Sequence, residues 1–125
     1  MATLSPIAWT PLPGEHLGEP LQWPEPQVVL VNPDGDLFHE DVPEGSIAAV
    51  FAIMALAPQH TYMLRTERPT RARRLLGNPK FRDAMVAAIR LVDLRMSLDL
   101  PGDPSWEWPL PNVHLDLGET GARSG

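Results

Sequence analysis

Apolar and polar positions alternate in blocks that predict short strands and helices in turn. Gln27–Val31 is an unbroken run rich in β-branched residues that ends at Asn32-Pro33, which reads as a buried strand. After a polar loop anchored by Leu37 and Phe38, Pro43 and Glu44 suit a first helical turn. A helix is expected from Ser46 to Ala57, stopped by Pro58, and past Ser46 it carries no polar residue on any face. A helix apolar all round must be covered on all sides, by its own domain or by a partner. His60–Arg65 predicts a second strand. Pro69 then opens a short basic helix that ends at Gly77.

Asn78 caps the next helix, with Pro79 in its first turn, and the pattern runs to about Ser97. Phe81, Met85, Ile89, Val92 and Met96 form one apolar stripe, and Ala84, Ala87, Leu91, Leu94 and Leu98 form a second beside it. Two stripes predict contact on two sides. Val113–Leu117 reads as a third strand.

Proline-rich segments frame this core. Residues 1–26 hold six of the fifteen prolines together with Trp9 and Trp23, and read as an extended arm rather than a helix. Residues 99–112 repeat the theme around Trp106 and Trp108, expected to cover the open face of the sheet. Residues 118–125 read as a flexible tail. The order strand, helix, strand, two helices, strand predicts one α/β domain over residues 1–125. Its small parallel sheet would have about three strands, with helices on one face as in part of a β/α barrel.

Charge divides the chain into blocks. Residues 1–64 contain eight acids and no Lys or Arg, whereas residues 65–82 carry seven basic residues against Glu67. The remainder is acidic again, and the net charge is −6. Such asymmetry can steer a charged partner, or the blocks can pair with each other in the fold. There is no cysteine, which excludes disulfides, thiolate nucleophiles and Cys-held clusters and suits a reducing cytoplasm. The start lacks the charged and apolar regions of a signal peptide, and the longest apolar run, the eleven residues Ile47 to Ala57, is too short to span a bilayer.

Several segments resemble a phage and prophage protein family of unknown function, itself similar to radical S-adenosylmethionine enzymes built on a partial or full β/α barrel. The resemblance rests on Glu15 to Trp23, Val29 to Asn32, Asp36-Leu37-Phe38-His39-Glu40-Asp41-Val42-Pro43, Val50 to Thr61, Arg68-Pro69 and Trp108 to Val113. It implies a barrel-derived scaffold, with a ligand site at the carboxyl ends of the strands around Asn32, Asp36, His39 and Arg68. Family members open with a cysteine-rich segment expected to hold an iron–sulfur cluster, which is absent here. The family's Thr-Lys-Arg-Pro is here Thr66-Glu67-Arg68-Pro69, and its Gly-Val-Ser-type run is Asp116-Leu117-Gly118-Glu119. The resemblance therefore implies a kept scaffold with a rewritten mouth.

Three functions follow as expectations. The first is a non-catalytic, phage-encoded inhibitor in the host cytoplasm, binding a host protein complex such as CRISPR–Cas through the acids Glu15, Glu19, Asp34, Asp36, Glu40, Asp41, Asp116 and Glu119. The second is a residual small-ligand or S-adenosylmethionine-binding protein using the barrel mouth. The third is a nucleic-acid binder in which Arg65, Arg68, Arg71, Arg73 and Arg74 contact phosphates. No cofactor, catalytic residue, metal site or membrane partner is assigned. His39, Glu40 and Asp41 with Asp34 and Asp36 lack calcium-loop spacing, and His16, His60 and His114 have no evident catalytic partners in sequence. A homodimer is expected from the need to cover the sheet and the all-apolar helix.

Overall fold

A computed structural model describes residues 6–12, 15–97 and 106–118. Its elements are β1 (Ile7–Trp9), a one-turn 3₁₀ helix (Glu19–Leu21), β2 (Val28–Val31), α1 (Glu44–Leu56), β3 (Thr61–Arg65), α2 (Pro69–Leu76), α3 (Pro79–Met96) and β4 (Val113–Asp116). The four strands form one parallel sheet in the order β1-β2-β3-β4. The small parallel α/β sheet is as the sequence pattern predicts, with one strand more. Ile7–Trp9, inside the proline-rich arm, pairs with Val29–Val31. Three residues are too few to register as a strand beside six prolines, so only the pairing reveals it.

Alternation across the pleat separates the two faces of the sheet. Trp9, Val29, Val31, Tyr62 and Leu64 point to the helices and are buried. α1 lies in this layer with Ile47, Ala48 and Val50 through Met54 all buried, so the domain itself covers its all-apolar helix. α3 covers it on one flank through Phe81, Met85 and Ile89. Phe51 joins Phe38, Phe81 and Trp108 in edge-on and tilted ring contacts between 5.6 and 6.2 Å. Of the second stripe of α3, Ala84 packs against the core, whereas Leu91 and Leu94 are exposed.

The opposite sheet face corrects one expectation. The tryptophans were expected to cover it, yet Trp9 is buried on the helix side and Trp108 packs on Phe51 and Phe81. The reason is polar as well as apolar. Trp108 Nε1 donates to the carbonyl of Leu76, an otherwise orphaned group at the end of α2, at 3.3 Å. The row Ala8, Leu30, Met63 and His114, adjacent in register across all four strands, is left partly or fully exposed. Leu98 of the second stripe, residues 99–105 of the second proline-rich segment and the tail from Glu119 onward lie outside the described residues.

At the amino end of the sheet, His60 is fully buried. The Gln27 N–H donates to its Nδ1 at 3.0 Å, and its Nε2 lies 2.9 Å from the Pro20 carbonyl. One neutral tautomer satisfies both contacts, so His60 ties the 3₁₀ turn and the start of β2 to β3. Replacing it by leucine strands a buried donor and acceptor. His60→Leu is expected to lower stability by about 2–4 kcal/mol in urea denaturation, whereas an unchanged midpoint would show the tie to be dispensable.

Candidate functional site at the carboxyl ends of the strands

The loops that leave β2, β3 and β4 meet at one rim because parallel strands all end on the same side. Asn32 leaves β2 in the left-handed region (φ 50°), which asparagine tolerates better than most residues. Its N–H donates to the Trp9 carbonyl at 2.7 Å, and its own carbonyl accepts from Gly35 at 3.1 Å, closing the Pro33-Asp34 turn. That turn delivers Asp36 to the centre of the rim.

Asp36 joins two loops. One carboxylate oxygen accepts from the Phe38 N–H at 2.9 Å. The other accepts from the Glu67 N–H at 3.0 Å and the Arg68 guanidinium at 3.1 Å. Partial burial alone would raise its pKa, but the Glu67 N–H, the Thr66 hydroxyl, the Phe38 N–H and Arg68 together outweigh it and hold the carboxyl below the ordinary aspartate range. The third loop is attached through the backbone. The buried Thr66 donates its N–H to the Asp116 carbonyl at 2.9 Å, and the Asp116 carboxylate accepts from the Gly118 N–H at 2.9 Å. Gly118 has φ of 70°, and a Cβ there would stand 3.0 Å from the Thr66 carbonyl, so the close approach of the third loop requires glycine.

An open groove of about 600 Å³ runs along this rim, lined by residues 30–36 and by Met63, Leu64, Arg65, Glu67, Arg68 and Asp116. Arg65 and Asp116 are neighbours in register at the ends of β3 and β4, and both are exposed. The Arg65 side chain makes no hydrogen bond or ion pair among the described residues.

The acidic and basic blocks meet here rather than forming separate faces. Arg68 pairs with Asp36. Arg71 donates to the carbonyls of Phe38, His39 and Val42, fastening the loop before α1. That role leaves no fingerprint in sequence beyond an arginine after Pro69. Arg74 lines a neighbouring cleft with Glu40, Glu44 and Glu67, and Arg73 is exposed on α2. Glu40 and Asp41 are exposed in the loop before α1, where the Asp41 N–H donates to His39 Nδ1 at 3.0 Å. Glu15 and Glu19 lie apart from the rim. Glu19 pairs with His16 at 2.6 Å on the segment that His60 anchors at the amino end of β3. Asp34 stands exposed at the groove, and Glu119 lies outside the described residues. Among the described residues no group of three or more His, Asp or Glu is placed to hold a metal ion, and no helix is long and apolar enough to cross a membrane.

The depressed pKa of Asp36 makes an acid-side prediction. Its contribution to stability is complete above the unfolded-state value of about 4 and is lost as pH falls through the lower folded-state value. Asp36→Asn is expected to cost about 1–3 kcal/mol at neutral pH, because asparagine cannot accept from all the donors at this site. The cost should shrink at the acid end of a urea-denaturation series, and a cost that stays constant down to pH 2 would contradict the role of its charge.

No curated protein and no solved structure matches the chain. A sequence profile described as "Protein of unknown function (DUF5131)" matches residues 7–120, from β1 through the loop after β4, and hence includes every strand of the sheet and all three loops of the rim. The chain therefore belongs to the DUF5131 family.

Proposed function

We propose that the protein binds a small polar ligand carrying charge of both signs in the groove at the carboxyl ends of its strands. The observation that carries this reading is Arg65. It is an exposed cation without an intramolecular partner among the described residues, set beside Asp116 and across the groove from Asp34. Asp36 and Arg68 already satisfy one another and give the groove a preorganised wall, while Arg65, Asp34 and Asp116 remain to meet a ligand. In open parallel sheets ligands bind outside the carboxyl ends of the strands, which is where the groove lies.

An inhibitor acting through one acidic face has less support, since the rim acids are interleaved with Arg65, Arg68, Arg71 and Arg74 and Glu19 is engaged elsewhere. The same interleaving weakens a phosphate-binding strip, because Arg68 and Arg71 are committed to loop contacts.

The test is thermal stabilisation by a panel of amino-acid zwitterions, nucleotides and S-adenosylmethionine at millimolar concentration, followed by calorimetry on any hit. S-adenosylmethionine enters through the sequence resemblance, and its aminocarboxylate carries both charges. Arg65→Ala is expected to weaken the bound member about 10- to 100-fold, the effect of losing one charge-assisted hydrogen bond. A melting temperature unmoved by the whole panel, or an Arg65→Ala variant that binds as tightly as the parent, overturns the proposal.

A further inference from the structure

Among the described residues the sheet leaves three surfaces unsatisfied at once. Its helix-free face carries Ala8, Val28, Leu30, Thr61, Met63 and His114 below the charged rim, and Met63 is 45% exposed. β1 and β4 are both edge strands, so one side of each has no strand partner among the described residues. Parallel sheets are rarely stable with one face wet, and an unpaired edge is a template for another strand. The helix side of the β4 edge is apolar too. A cavity of about 260 Å³ opens there, lined by Phe51, Leu76, Trp108, Leu110, Val113 and Leu115. A strand added to β4 would thus find apolar neighbours on that side as well as on the bare face.

We propose that two copies of the chain associate through these surfaces, with β4 of each beside β1 of the other, closing an eight-stranded parallel barrel. The sequential order β1-β2-β3-β4 with the helices on one face is the arrangement of half a β/α barrel. Because the two edges are parallel and lie at opposite sides of the sheet, a single two-fold operation pairs both edges and buries both bare faces. The side chains on that face are graded as a closed interior requires. Ala8, Val28, Leu30, Thr61 and Met63, with His114 beside Met63 as the one imidazole, occupy the levels toward the amino ends, and Arg65 and Asp116 stand at the carboxyl rim. An eight-stranded barrel is filled by its inward side chains, so the mostly apolar levels become core and the charged level becomes the mouth.

The groove at one rim is then half of a mouth, completed by Arg65, Arg68 and Asp116 of the second copy. The association itself follows from the sheet and does not depend on the ligand reading.

Sedimentation equilibrium of the chain from about 1 to 100 µM is the test. A dimer of twice 13.8 kDa is expected. Met63→Glu is expected to return the chain to monomer, weakening association about 100-fold or more by placing two carboxylates in a closed interior whose one polar side chain at that level is His114. Met63 lies on a bare face, so circular dichroism should show the variant monomer folded. Leu94→Glu, on the 78% exposed outer side of α3, is the control and should leave the dimer intact. A chain monomeric throughout this range overturns the proposal. So does a dimer that Met63→Glu leaves whole, or one that Leu94→Glu dissociates, since the interface would then lie elsewhere. None of these readings requires a ligand, so a failed dimer and a failed ligand site are separately visible.

Discussion

Burial of an apolar cylinder on every side is the constraint from which this architecture follows. α1 has no polar face after its first turn, so no orientation exposes it without cost. The sheet covers one side through Val29, Val31, Tyr62 and Leu64, and α3 covers a flank through Phe81, Met85 and Ile89. Leu17 and Leu21, around the 3₁₀ turn, add to the same cluster. Once α1 lies between these elements, the other helices and the tryptophans are drawn to the same side of the sheet. Among the described residues, the face turned away from α1 is left without a layer of its own as the counterpart of that arrangement.

The polar interactions divide between the two ends of the sheet. At the amino end a single buried histidine connects the backbone of the arm to that of β2 and β3. At the carboxyl end the connections are charged and partly buried, through Asp36, Arg68 and the backbone of Thr66, Glu67 and Gly118. The difference suits their positions. A neutral ring satisfies two buried backbone groups without a buried charge, whereas carboxylate and guanidinium remain hydrated at a rim open to solvent.

Much of the fold was legible in the sequence because periodicity reports burial. The runs Gln27–Val31 and His60–Arg65 each contain a strand one residue shorter, and Pro69, Gly77, Asn78 and Pro79 mark the bounds of α2 and the start of α3. β1 was missed because a three-residue strand carries less signal than the prolines around it. The tryptophans were placed on the wrong face because hydrophobicity alone does not tell which of two apolar surfaces offers an acceptor for an indole N–H. The Leu76 carbonyl decides that for Trp108. At the rim, the resemblance singled out Asn32, Asp36, His39 and Arg68; Asn32, Asp36 and Arg68 line one groove, whereas His39 stands in the loop before α1, outside that lining. Arg71 illustrates what remained hidden. Its charge suggested a phosphate, while its three carbonyl partners lie in a loop some thirty residues earlier in the chain. A contact of that separation has no local pattern to announce it.

The rim groove and the bare face share a border, and this too follows from topology. In a parallel sheet the residues that end the strands belong to both the last level of the face and the first position of the loops. Arg65 and Asp116 occupy that level here, adjacent in register and pointing away from the helices. Whatever covers the bare face therefore also sets the dielectric around these two side chains. Exposed, an arginine beside an aspartate interacts weakly because water screens them. With the face covered, the same charges stand at the wall of a narrower opening, where each is felt more strongly by a third charge brought between them. Covering the sheet and strengthening the groove are for this reason a single physical change, and the sheet with its face uncovered shows its groove at its weakest.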